Sequence, residues 1–225
     1  APQRFFVPVP GLGELEVDAD LVEAWQLAVG VEHRFAEHWS LDATVYGVWL
    51  ENLLSLRETD EEEDDPANPP TSIDDATFAT QGRGAGFELM LRRHRAGRWF
   101  GWLAVTLQRH ERRDQGGDWL ASSIDQTLLL NLVTTWQIAD LWTVGARVHY
   151  HTGRPEREGV EARLPGFFQL DLRVDRTWIH DSWQMDFYLD VINATYSREV
   201  LSVSEDGSTD GLQYVLPTLG VHAVF

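Results

Sequence analysis

Apolar side chains recur at every second position along most of this chain. Trp25, Leu27, Val29 and Val31 alternate with Gln26, Ala28, Gly30 and Glu32, and Trp39, Leu41, Ala43, Val45 and Trp49 continue the rhythm after a break at Ala36, Glu37 and His38. Ala85, Phe87, Leu89 and Leu91 follow, then Leu103, Val105 and Leu107, then Leu128, Leu130, Leu132 and Trp136. Trp142, Val144, Ala146, Val148 and Tyr150 make the next run, followed by Leu170, Leu172 and Val174 and by Trp183, Met185, Phe187, Leu189 and Val191. Leu219, Val221, Ala223 and Phe225 end the chain, with Gly220 and His222 on the other parity and Val224 as an exception. A strand turns successive side chains to opposite faces, so each run predicts a ribbon with one apolar and one mixed face.

The connections alternate as regularly as the strands. Short breaks fall at 36–38, 94–98, 138–140 and 179–181, and long polar ones at 58–76, 112–122, 153–165 and 204–211. The strand from Trp183 is expected to run past Asn193 toward Val203. Nine strands and no helix result. Residues 1–21 carry Pro2, Pro8 and Pro10 and predict an irregular segment or one extra edge strand, ahead of a β segment over 22–225.

An alternating all-β chain fits a soluble sandwich or a membrane barrel. Two features favour the barrel. Short turns at one end and long loops at the other describe an antiparallel up-and-down meander, whereas sandwiches cross over more often. Trp39, Trp99, Trp136, Trp142, Trp178 and Trp183 also gather near the short turns, where amphipathic rings would mark a membrane–water boundary. The expected fold is an antiparallel transmembrane β-barrel of nine to ten strands, alone or as part of a larger one.

Composition narrows the function classes. A formal charge of −18 leaves no basic surplus for phosphates, so no nucleic-acid partner is expected. The absence of cysteine excludes disulfides and thiolate metal sites. No apolar run reaches the roughly 18 residues of a membrane helix, and the start at Ala1 fits a processed or truncated product.

Six segments resemble the carboxyl-terminal barrel of TonB-dependent outer-membrane receptors: GRGAGFELMLRR at 82–93, DQTLLLN at 125–131, GARVHYHTGRP at 145–155, FFQLDLRVDRTW at 167–178, DFYLDVINAT at 186–195 and LPTLGVHAVF at 216–225. Asn193, Ala194 and Thr195 stand where that family has a short Asn-containing signature. The resemblance implies a barrel of about 22 strands around an amino-terminal plug. It also implies location in the outer membrane of a Gram-negative bacterium, uptake of an external ligand, and Phe225 as the terminal aromatic read by the barrel-assembly machinery. This chain would match the last nine or so strands. The first and last of nine meander strands run in the same direction, so they cannot close an antiparallel barrel. Either residues 4–17 add a tenth strand or another chain supplies the plug and the remaining wall. A stand-alone small barrel, serving as a structural or assembly component, is the alternative.

Candidate chemistry is sparse. Asp60, Glu61, Glu62, Glu63, Asp64 and Asp65 could bind a divalent cation through oxygen or form a solvated loop. His149 and His151 share one face and could hold a metal if a third ligand joined them. Glu88, Arg92, Arg147, His149, Asp171, Arg173, Asp186 and Asp190 fall on the mixed face and would line a lumen, with Asp171, Arg173, Asp186 and Asp190 forming an ion-pair lattice. No serine sits in a nucleophile motif, so neither an enzyme nor a bound cofactor is expected.

Overall fold

The alternation over 25–35 becomes a long strand, and eight more like it follow. The computed structural model describes residues 3–9, 13–19, 21–56, 77–114, 116–157, 160–204 and 206–225. Its main strands are β3 (Glu23–Ala36), β4 (Trp39–Leu56), β5 (Thr77–Ala96), β6 (Trp99–Asp114), β8 (Leu128–Ala139), β9 (Trp142–His151), β10 (Phe167–His180), β11 (Trp183–Ile192) and β14 (Leu216–Val224). They form one antiparallel sheet in the order β14-β11-β10-β9-β8-β6-β5-β4-β3, and a two-residue strand, β7 (Leu120–Ala121), pairs with β6. Up-and-down order and nine strands are as the pattern predicted.

All four short connections are two-residue turns at the same end of the sheet: Glu37 and His38, Gly97 and Arg98, Asp140 and Leu141, Asp181 and Ser182. Just before three of them the register shifts, at Arg34/Ala36, Arg93/Ala96 and Gln137/Ala139. Such bulges increase the local twist where the chain reverses. Gly97 has φ +63°, a left-handed conformation that glycine adopts without a Cβ clash.

Pairing sorts the side chains into two faces. One row runs Trp99, Trp136, Val144, Val174, Leu189 and Leu219 across six strands. The row beside it on the opposite face runs Thr135, Gly145, Arg173, Asp190 and Thr218. Two glycines on that polar face accept tyrosine rings from the facing strand. A Cβ at Gly86 or Gly220 would run into Tyr46 or Tyr188, each its direct cross-strand partner. The ring thereby packs where the glycine leaves room.

A soluble sandwich would bury its apolar face under a second sheet. Here that face is bare, with Trp25 70%, Val29 69% and Leu219 79% exposed. Among the described residues only Leu164 and Phe167 are buried hydrophobics. This removes the sandwich.

Three expectations need correction. Residues 1–21 do not form one edge strand: β1 (Gln3–Val9) pairs antiparallel with β2 (Gly13–Ala19) in a separate two-stranded sheet. The strand from Trp183 does not run on toward Val203 but stops at Ile192, because Asn193 takes a left-handed φ of 54°. The segment 204–211 is accordingly no simple loop, since β12 (Arg198–Val203) and β13 (Thr209–Gln213) form their own hairpin. The main sheet is open, and β3 and β14 end its strand order without pairing to each other.

Candidate functional site

The polar face of β9, β10, β11 and β14 carries neighbouring clusters of charged and polar side chains. Arg147 Nε donates to Asp171 Oδ2 at 2.6 Å, and Gln169 Nε2 donates to Asp171 Oδ1 at 2.7 Å. Arg173 bridges Asp175 and Asp190 at 2.7 and 2.9 Å and lies 4.1 Å over the Tyr188 ring. Asp186 accepts from Thr177 Oγ1 at 2.6 Å, with His222 Nδ1 3.7 Å away. Opposite charges on neighbouring strands support pairing here as they do in other sheets. Around Arg147, Asp171, Arg173 and Asp190 they border an open groove of about 300 Å³. Glu88 and Arg92 lie on the same face of β5. Glu88 pairs across to Thr44 and Thr106, and Arg92 Nη2 reaches Met90 Sδ at 3.2 Å.

His149 and His151 come together at the long-loop end, with ring centroids 5.5 Å apart. His149 Nδ1 meets Asn131 Oδ1 at 2.7 Å, His151 Nδ1 meets Gln126 Nε2 at 3.1 Å, and His151 Nε2 lies 3.5 Å from Glu199. No group of three metal-ligating side chains converges among the described residues. The carboxylates of 60–65 lie outside the described residues.

The same end holds two polar anchors that the sequence pattern does not mark. Asp125, 1% exposed, receives Arg163 Nη2 at 2.5 Å and the backbone N–H of His110 at 2.7 Å. The pair joins the 152–166 connection to the one before β8. Asn193 is the second anchor. Its Nδ2 donates to the carbonyls of Ser197 (2.8 Å) and Tyr214 (2.9 Å), its Oδ1 accepts from Ser197 N (3.0 Å), and its own N–H donates to Asp171 (2.8 Å). It thereby ties the base of the β12–β13 hairpin to the polar lattice. At the tip of that hairpin, the Ser208 hydroxyl and N–H hold the Asp206 carboxyl below the usual carboxylate range.

The tryptophans complete the geometry. Trp39, Trp99, Trp136, Trp142, Trp178 and Trp183 all fall on the apolar face at the short-turn end. Trp39 and Trp99 meet edge to face at 5.9 Å, and Trp183 stacks on His180 at 5.6 Å.

Compared by sequence, the chain matches no protein-family model and no curated protein. Compared by structure, it is similar to the ferripyoverdine receptor of the outer membrane of Pseudomonas aeruginosa, with a TM-score of 0.66 and 15% identity over 90% of this chain and 27% of that one. It is also similar to the ferric-catecholate import receptor Fiu of E. coli K12 (TM-score 0.65, 17% identity, 92% of this chain and 28% of that one). The complex of FpvAI with pyocin S2 gives a TM-score of 0.65 at 15% identity, over 97% of this chain and 30% of that one. The fold is that of an outer-membrane receptor barrel wall. The chain spans less than a third of each receptor's length.

In this fold aromatic side chains stand on the apolar face at both ends of the sheet. Trp49 and Phe168 lie on the apolar face near the long-loop end, 51% and 43% exposed. Each stands ten residues along its strand from a tryptophan of the short-turn belt, Trp39 on β4 and Trp178 on β10. Ten residues rise about 33 Å, which at a tilt of about 40° spans about 25 Å, the height of a barrel's apolar band. The equal spacing on two strands was available in the sequence. Proximity to short turns pointed only to the first belt.

Proposed function

We propose that this chain forms the carboxyl-terminal part of the wall of a TonB-dependent receptor in a Gram-negative outer membrane. The strands cross the membrane several times, with the apolar face toward lipid and the ion-pair lattice toward the lumen. The observation that carries this reading is the paired aromatic belts, about 25 Å apart on one bare apolar face. The open edges of β3 and β14 fit it as well. Both strands run toward the short turns, so the rest of the wall must contribute an odd number of antiparallel strands, supplied with the plug by the remainder of a receptor or by another chain. The long-loop end would then face outside and recognise the external ligand, and β14 would engage the assembly machinery.

A chain without cysteine makes the orientation directly testable. Val105→Cys lies on the apolar face and Thr106→Cys on the polar one. In membranes, Val105→Cys should react only with a lipid-soluble maleimide and Thr106→Cys with a water-soluble one. Equal reaction of both with the water-soluble reagent would refute the wall. Loss of ligand-dependent growth on deletion of the β12–β13 hairpin, with barrel assembly intact, would distinguish a receptor from a purely structural barrel.

A further inference from the structure

Among the described residues, the apolar face carries an arginine that no carboxylate meets. On the apolar rows of β8, β9, β10, β11 and β14, Arg176 is the single side chain among Asp, Glu, Lys and Arg. Its guanidinium lies 4.7 Å over Trp142 and 4.8 Å over Trp178. Arg93 on β5 also lies over a tryptophan, 4.6 Å from Trp99 on the same face and at the same end, but its guanidinium donates to the backbone carbonyls of Ala96 and Trp99, partners that Arg176 lacks among the described residues. Neither arginine has a carboxylate partner among the described residues. By contrast, Arg147 and Arg173 on the polar face each hold one or two.

In a chain with twice as many acidic as basic residues, this placement asks for a compensating anion. An indole stack satisfies the face of a guanidinium but leaves its N–H donors in the plane unused. Removing such a group from water is costly unless those donors find an acceptor. Arg176 pairs across to Trp142 and Phe187, one row nearer the turns than the Trp99–Trp136 row. That is the depth of the headgroups if the tryptophans mark the boundary. The acceptor present at that depth is lipid phosphate, whose oxygens match the planar guanidinium fork.

We propose that Arg176, braced by Trp142 and Trp178, binds the phosphodiester of a glycerophospholipid headgroup on the apolar face at the short-turn end. The inference rests on the membrane-wall reading and names a lipid that the wall holds.

Native mass spectrometry of the protein extracted from its own membrane with whatever completes its barrel, then exchanged into mild detergent with phosphatidylglycerol, tests it. The protein should retain the lipid, and Arg176→Gln should retain roughly tenfold less, the loss expected for a charge-assisted hydrogen bond. Arg176→Lys should fall between the two, and Arg157→Gln at the other end should match the parent. Heat-modifiable gel migration confirms that each variant is assembled. Equal retention by Arg176→Gln, equal retention of a phosphate-free glycolipid, or displacement by excess inorganic phosphate would each overturn the proposal. Failure of the parent protein to float with vesicles would instead overturn the membrane reading and this inference together.

Discussion

The two ends of this sheet are built on different principles. At the short-turn end the chain reverses in two residues, and tryptophans dominate the apolar face. Among the buried polar residues described, Ser40 is the one at that end, hydrogen-bonded to His94 at 3.1 Å. At the long-loop end Thr80, Ser122, Asp125, His151 and Asn193 are buried, with Leu164 and Phe167 beside them. One end is thus specified by local chemistry, and the other is a small core assembled from distant parts of the chain. The contrast teaches where damage should spread. A fault at the turns should stay local, whereas a fault in the buried anchors should loosen several connections together.

The harshest way to break the contrast is Arg163→Met, which leaves the Asp125 carboxylate buried without its cation. Losing one member of a buried pair costs about 3–5 kcal/mol, and proteolysis should then cut within 152–166 while the short-turn end stays protected. Asn193→Ala removes an acceptor and a double donor from a buried position, a loss of about 2–3 kcal/mol. Its expected sign is faster hydrogen exchange across β12 and β13, and unchanged exchange there would show that the hairpin holds itself. Gly97→Ala forces a Cβ into a left-handed turn at the opposite end, costing about 1 kcal/mol. Its effect on exchange should not pass beyond β5 and β6.

The smallest effect is a pH dependence confined to the hairpin tip. The folded pKa of Asp206 is depressed, so its contribution is complete above the ordinary carboxylate value and disappears as pH falls through the folded value. Ser208→Ala removes the largest cause of the shift. NMR titration of the Asp206 carboxyl should then show its midpoint moving upward.

The same division explains what could be seen in the sequence. The nine strands and their turns were legible because a period of two and a two-residue reversal are local signals. Asn193 as a strand terminator was not, since one of the hydrogen bonds that hold it reaches Tyr214, twenty-one positions away. Asp125 and Arg163 are separated by thirty-eight positions, and nothing about either residue alone announces the pair. His149 and His151 were legible as neighbours on one face, but Glu199 beside His151 comes from a hairpin the pattern had merged into β11. The signature residue Asn193 was noted through resemblance, and its work became visible only in the hydrogen bonds it makes.

The odd number of strands in the open sheet constrains how such a wall can change over evolutionary time. Each two-residue turn links a matched pair of strands, so deleting β3 and β4 would leave β5 presenting an edge of the same direction and register rhythm. Gains and losses can therefore proceed hairpin by hairpin without reversing the polarity of the seam. Removing a single strand would reverse it, and the neighbour that once matched would face a parallel edge.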